Sequence, residues 1–423
     1  MAEQPGGSNK DTCGEPRDWK AVYRFLASEA FGSADLEAAL HQACRERCSG
    51  ANLVVAIRDT TELSVSSSRA GVGAADQLCV HSVLAVSREG VPWGLLHQQR
   101  WTRPADGPAT RALGRPHPGA EKESYRWLEG SRAVEQLLPA GTRVLTVADR
   151  QADLVELLAL SRPDNSQLLI RATGKRKVDS PERHLWLVLR ATACAGVTYV
   201  PVRRKSGRSV REARVEVRFQ ALELPLPQRG RHEPGRGAPR VTAIYVREAG
   251  GPPHPAPVDW LLLTTLPVAT PARACECVRY YALHGLIERY HYLLKSGCKL
   301  EGSGLLTAGA WERRGALCSA RAWRLLWLTH EARRDGAQPC TVALTRAEWQ
   351  ALWHLIRGEA EAWPDSAPPV GEMVRWLGWL GGFTDRGGEG EPGVNALWRG
   401  LSRVQEGLIG AEPSGSLGAS GKV

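Results

Sequence analysis

The sequence predicts a mixed α/β fold: an α/β core interrupted by an antiparallel β insertion and followed by helices. Three observations predict it. Between Asn52 and Thr173 short apolar runs of strand type alternate with helical ones. From Gly174 to about Val268 the character changes to β-rich runs separated by Gly, Pro and Arg turns. Beyond that stretch, Leu-, Trp- and Arg-rich segments with helical composition fill most of the chain.

Composition sets the frame. The chain has 423 residues, 43% hydrophobic and 24% charged, enough for a core of two or more domains. The formal net charge of +10 favours an anionic partner, of which nucleic acid is the commonest. No run of about 18 apolar residues occurs, so no membrane span is expected. The start, MAEQPGGSNKDTCGEPRD, lacks the apolar core of a signal peptide. The cysteines are scattered and form no CxxC pair. They read as reduced thiols of a cytoplasmic protein, without structural zinc or a disulfide framework.

Residues 1–17 are Gly-, Pro- and polar-rich and read as a loose lead. Residues 18–48 read as two short helices, with Ser33 able to cap the second. In NLVVAIRDTTELSV the apolar run Val54–Ile57 is a buried strand, and Asp59 arrives where that run stops. CVHSVLAVS and VPWGLLHQQRW form a hairpin around Arg88-Glu89-Gly90. A loop from Pro104 to Gly119 leads to a helix, EKESYRWLEGSRAVEQLL. RVLTVADRQAD then repeats the earlier pattern, a short apolar strand delivering Asp149 at its end. The helix ADLVELLALS and the strand QLLIRAT follow. In the insertion, WLVLRATA, GVTYVPVR, REARVEVRFQALEL and PRVTAIYVRE read as strands, closed by VDWLLLTTLPV. Arg203, Arg204, Lys205, Arg208, Arg211 and Arg214 concentrate basic charge there, either as a solvated hairpin or as a track for a nucleic-acid backbone.

Tyr280 to Lys299 then reads as one helix ending at Ser296-Gly297. On an unbroken helix Tyr281, His284, Glu288 and Lys295 fall within roughly 60° of one another. If Asp59 and Asp149 lie on adjacent strands and Glu288 faces them, three carboxylates converge. Such a group repels itself unless cations neutralise it, and oxygen ligands suit Mg²⁺. Two such ions can activate an attacking oxygen and stabilise a leaving one in phosphodiester displacement. Each residue also has an ordinary reading: a strand-end Asp is often a turn or cap, and a polar helix stripe often only faces water.

Many short motifs occur in one order from about Tyr23 to about Ile409: DTTELSV at Asp59, VHSVL at His81, GLLHQ at Gly94, EKES at Glu121, ADRQAD around Asp149, WLLLT at Trp260, the spacing Tyr281, Glu288, Lys295, and LTRAEW at Leu344. Together they resemble the bacterial cut-and-paste DDE transposases of the insertion-sequence-four family. The resemblance implies an RNase H-like mixed-sheet core in two parts, 49–173 and 269–335, around a β-rich insertion, 174–268. It further implies a short N-terminal lead and helices over 1–48, a C-terminal helical dimerisation domain over 336–411, and a tail over 412–423.

On that resemblance, Asp59, Asp149 and Glu288 are the catalytic triad and hold Mg²⁺ or Mn²⁺, two ions in all. Tyr281, Lys295 and Arg171 correspond to phosphate contacts. Trp260 corresponds to a tryptophan that fills the space left by a flipped base. His284 stands where the family's signature has Arg, and Gly285 where a subgroup has a stacking Trp. The expected partners are double-stranded DNA and a second copy of the chain, in the bacterial cytoplasm at the nucleoid. Two other readings remain: a truncated copy that binds DNA without catalysis, and a host nuclease on the same core.

Overall fold

The computed structural model describes residues 24–26, 28, 30–64, 77–103, 123–139, 141–202, 211–225, 238–250, 257–298, 308–384 and 390–411. The lead over 1–17, the Pro104–Gly119 loop, the basic residues Arg203, Arg204, Lys205 and Arg208, and the tail from Glu412 lie outside them.

One mixed sheet of nine strands organises the chain. In chain order its strands are β1 (Leu53–Ser64), β2 (Gln77–Val86), β3 (Pro92–Arg103), β4 (Arg143–Ala148), β5 (Ser166–Arg171), β6 (Gly196–Val202), β7 (Arg211–Glu223), β8 (Arg240–Glu248) and β9 (Asp259–Thr264). Their spatial order is β3-β2-β1-β4-β5-β9-β8-β7-β6. The expected hairpin is β2–β3, and β2 pairs antiparallel with β1. β1, β4 and β5 run parallel at the centre. Parallel strands need cover on both faces, and β1 shows it in its alternation. Val55 and Ile57 enter one core, while Val54 and Ala56 enter another on the opposite face. The β insertion extends this sheet, because β9 pairs antiparallel with β5 and carries β8, β7 and β6 outward.

The helices cover the two faces. α1 (Ser33–Cys48) and α2 (Glu123–Leu137) pack with the Val54–Ala56 side through Cys44, Cys48, Val134 and Leu138. After β4 come a 3₁₀ turn (Arg150–Ala152) and a single helical turn, α3 (Val155–Leu158). α4 (Leu185–Ala191) covers part of the insertion. The opposite face receives α5 (Pro271–Ala282), α6 (Gly285–Cys298) and α7 (Ala308–Arg334). α8 (Arg346–Arg357), α9 (Val370–Leu380) and α10 (Val394–Ala411) complete the chain and join the same core.

Several elements differ from the sequence reading. In place of the strand expected over WLVLRATA, Leu185–Ala191 is a helix, and Leu185 and Leu189, four apart, are its fully buried pair. A buried i,i+4 pair marks a helix, but in so short an apolar run the composition also fits a strand. The helix expected over ADLVELLALS is the single turn α3. Ser33 does not cap α1. Gly32 does, with its N–H bonded to the Asp35 carboxylate at 2.7 Å, and the Ser33 hydroxyl donates to Glu312 instead. The expected helix over Tyr280–Lys299 is two helices, broken at Leu283–His284, and the second runs through Gly297 to Cys298. Cys318 is disulfide-bonded, contrary to the all-reduced expectation, whereas Cys44, Cys48, Cys79, Cys194, Cys275, Cys277 and Cys340 are free. No helix among the described residues is long and apolar enough to cross a membrane.

The C-terminal helices pack without spare room. A Cβ added at Gly400 on α10 would lie 1.9 Å from the Leu377 carbonyl oxygen of α9. Gly400→Ala therefore pushes two backbones apart and destabilises by about 1–3 kcal/mol, read as a lowered melting temperature. Glu348 caps α8 together with Thr345, and Arg324 of α7 grips its carboxylate. Burial alone would raise the Glu348 carboxyl, but the bonds from Arg324 and Thr345 outweigh it and hold it below its ordinary value. A depressed folded value stabilises fully above the unfolded value, about 4.3, and that stability disappears as pH falls through the folded one. In urea titrations the wild type should lose stability on acidification over that window more steeply than Glu348→Gln.

Candidate active site

Four neighbouring strands each send one row of side chains toward α5 and α6. The row is Val55, Ile57, Asp59 on β1 and Leu145, Val147, then Asp149 at the end of β4. It is Leu169 and Arg171 on β5, and Leu262 and Trp260 on β9. The apolar members share one core with Tyr281, Ile287 and Tyr290. Period-two alternation then puts the next residue of each row on the same face. So Asp59, Asp149 and Arg171 line one level of the sheet, at the carboxyl ends of its parallel strands, where open α/β sheets place their ligands, and Trp260 stands on the same face one step beyond Leu262, the cross-strand partner of Arg171.

The register makes the two aspartates neighbours. Arg58 pairs with Ala148 across the parallel β1–β4 ladder, so Asp59 and Asp149 follow side by side on strands about 4.8 Å apart. Asp59 is not a strand end, as the sequence reading had it: β1 continues to Ser64 paired with β2, and Asp59 lies opposite Ser82. It is β4 that stops. The Asp59 Oδ1 accepts from the Thr60 N–H at 2.8 Å, and its Oδ2 faces Nδ1 of His291 at 3.4 Å. Asp149 Oδ1 accepts from the Gln151 N–H at 2.9 Å, capping the 3₁₀ turn. Burial raises the Asp149 carboxyl. The Gln151 bond opposes this, the charge of Asp59 adds to it, and His284 and Arg171 offset part.

The helical side is built around the break. Leu283, His284, Leu286 and Ile287 each bond three residues back, a tight passage that separates α5 from α6. Tyr281 therefore belongs to α5, His284 to the turn, and Glu288 to the first turn of α6. Lys295 is exposed, two turns and roughly 10 Å further along α6. The imidazole of His284 stacks on Tyr281, with centroids 5.8 Å apart and planes at 15°. Tyr281 in turn meets the edge of Trp260 at 5.0 Å. His284 Nδ1 lies 3.6 Å from Oε1 of Glu288, an ion-pair distance rather than a close hydrogen bond.

Burial alone would lower the His284 pKa, but its pairing with Glu288 and the charges of Asp59 and Asp149 raise it above the ordinary histidine value. The imidazole is thus biased toward the cation that the expected Arg would supply. Burial pushes Tyr281 up to about 12 despite the nearby Arg171 guanidinium, so it remains a phenol able to donate. Arg171 donates to the Asp259 carbonyl at 3.0 Å and stands close enough to Tyr281 and Asp149 to affect both. Arg171, Trp260, Tyr281, His284 and Glu288 line one pocket of about 560 Å³.

A hard divalent cation is the group this constellation implies. Two carboxylates forced side by side, with Asp149 raised by burial and by Asp59, are a donor set that a cation relieves, and both are oxygen ligands. Asp59 and Asp149 fit it. Glu288 is not drawn into the pair: its side chain is 70% exposed and turned to His284. Among the described residues no three His, Cys, Asp or Glu side chains are grouped for a metal ion.

Behind the carboxylates, on the opposite face of β1, lies Arg58, which is fully buried. Its guanidinium donates to Ser131 Oγ at 2.6 Å and to the Trp127 carbonyl at 2.8 Å, and lies 5.2 Å from the Trp127 ring. Burial pushes its pKa down to about 9. A guanidinium only donates, so His81 Nε2, 3.2 Å away, accepts. His81 Nδ1 then carries the proton and donates to Thr60 Oγ1 at 2.9 Å. His81 is the hydrogen-bonded core histidine the sequence suggests. Arg58 and His291 were not singled out by sequence. His291 carried a usable signal, lying one turn after Glu288 on α6.

No family model matches the chain. Gly285 opens α6, and a Cβ there would meet nothing within 4 Å. Gly285→Ala should therefore fit and stabilise the fold by about 0.4–1 kcal/mol through the unfolded state, seen as a raised unfolding midpoint.

Proposed function

We propose that the chain is a DDE transposase on an RNase H-like core, cutting DNA strands at the ends of a mobile element and joining them to a target. The observation that carries this reading is the polar end of the sheet: Asp59, Asp149 and Arg171 side by side on consecutive neighbouring strands, with Trp260 one step further along the next, and with Tyr281 and His284 close enough to feel their charges. The strand order β3-β2-β1-β4-β5, with β2 alone reversed and helices on both faces, supports the RNase H-like core that the motif resemblance implies. The net charge of +10 suits a double-stranded DNA partner. A homodimer joined through the C-terminal helices is part of the same reading.

In this reading Asp59 and Asp149 hold Mg²⁺ or Mn²⁺, and Glu288, exposed at the start of α6, supplies the third carboxylate. When bound, two such ions would lower the pKa of an attacking water and stabilise the leaving oxygen. The rest falls to the chain's own groups. Tyr281 and Arg171 donate hydrogen bonds to DNA phosphates beside the scissile bond. His284, biased toward its charged form by the three carboxylates, adds a cation where relatives carry Arg. Lys295 meets the duplex further along α6, and Trp260 offers a ring against a displaced base. Water attacks one strand at the element's end. The freed 3′-hydroxyl then attacks the phosphorus of a further phosphodiester, forming a new P–O bond as that phosphodiester's own 3′-oxygen leaves and takes up a proton.

Cleavage of the element's end DNA with Mg²⁺ or Mn²⁺ tests the proposal. Asp59→Ala, Asp149→Ala and Glu288→Ala should each lose activity by more than about 100-fold, beyond the cost of losing an outer-shell partner. An inactive wild type would overturn the enzymatic reading. Cleavage surviving all three substitutions would overturn the residue assignment, and cleavage indifferent to end sequence would point to a host nuclease.

A further inference from the structure

We infer that His291 is a positioning residue that fixes the Asp59 carboxylate from α6; the inference rests on the proposed metal-holding role of Asp59. His291 is buried, 4% exposed, one turn beyond Glu288 on the same helix. Its Nδ1 lies 3.4 Å from Asp59 Oδ2, while Oδ1 is held by the Thr60 N–H at 2.8 Å. The two carboxylate oxygens are thus restrained by different parts of the fold, one by its own strand and one by the helix that carries Glu288. The contact is at ion-pair distance, and because a carboxylate only accepts, Nδ1 is the atom that can donate across it.

Packing alone does not account for an imidazole here. His291 Nε2 is buried with no hydrogen-bond partner among the described residues. An apolar ring of similar size would avoid that unsatisfied nitrogen. What the imidazole adds over such a ring is the N–H toward Asp59.

The neighbouring residue keeps the contact in register. Tyr290 is fully buried, and its phenol oxygen accepts from Gln98 Nε2 at 3.1 Å. The same amide donates to Ser82 Oγ at 2.9 Å, and Ser82 is the cross-strand partner of Asp59. α6 is therefore tied to the sheet around Asp59 at two successive residues, by Tyr290 through Gln98 of β3 to Ser82 of β2, and by His291 directly. Through this link the helix presenting Glu288 and the strand presenting Asp59 keep a fixed separation.

Mn²⁺ binding to the purified full chain, followed by electron paramagnetic resonance without DNA, separates positioning from bulk. His291→Asn leaves an amide N–H near the place of Nδ1, His291→Gln moves it to the place of Nε2, and His291→Leu removes it. His291→Gln and His291→Leu should weaken Mn²⁺ binding about 10–100-fold, with His291→Asn close to wild type. Binding by His291→Gln or His291→Leu as tight as wild type overturns the inference. So does His291→Asn as weak as His291→Leu, which would show that ring bulk matters and the N–H does not. Should His291→Leu fail to fold, the Asn and Gln variants decide alone. Asp59→Asn is the control. If it binds as well as wild type, or wild type binds no Mn²⁺, the metal-holding reading falls and the inference with it. If Asp59→Asn is weak while both His291→Gln and His291→Leu are unchanged, only the inference falls.

Discussion

A guanidinium with no direct carboxylate partner among the described residues, sealed inside the fold, anchors the site from behind. Arg58 donates into α2, to Ser131 and the Trp127 carbonyl, so helix and strand cannot shift apart without stranding a buried charge. Leaving such a charge unpaired costs several kcal/mol. A Cβ at Gly130 would lie 2.3 Å from its Nη2, which shows how closely α2 is drawn in. Because Asp59 is the next residue along β1, fixing Arg58 on one face fixes the carboxylate on the other. The neutral His81 tautomer and the Thr60 hydroxyl extend that restraint to the residue after Asp59.

The site combines opposite electrostatic solutions on the two faces of one strand. On the α2 face a positive charge is satisfied by neutral acceptors and an aromatic ring. On the α6 face negative charges are only partly offset, by His284 and Arg171. A structural ion pair would have left no residual charge. Around Asp149 the compensation is incomplete: burial and the neighbouring Asp59 charge leave its carboxyl raised, with the Gln151 bond, His284 and Arg171 offsetting only part.

Much of this was legible in the chain. The runs Val54–Ile57 and Val144–Ala148 announce buried strands, and both aspartates stand at the point where such a run ends. The hairpin around Glu89-Gly90 follows from its turn residues. The later helices were harder, because propensity reports on composition and not on direction. Nothing in YYALHGLIERYHYLL except Gly285 hints that the helix tightens and restarts. Likewise WLVLRATA has the residues of a strand, and only packing across the insertion makes it a helix. Arg58 looks like a surface cation in sequence, since only the folded chain brings the α2 carbonyls to it. His291 needs the tertiary fold too, because its significance is a contact with a residue more than two hundred positions away.

The turn at Leu283–His284 gives the two halves of the site separate foundations. α5 rests on the insertion strands β6 and β7, with Ala274, Cys277 and Val278 in the shared core, whereas α6 is braced against β1, α7 and α10. A continuous helix would have made Tyr281 and Glu288 one lever, so that any change in the seating of one displaced the other. With a joint between them, the Tyr281 side of the pocket and the Glu288 carboxylate each answer to their own supporting strands and helices, so a change in the packing under one helix need not be transmitted to the other.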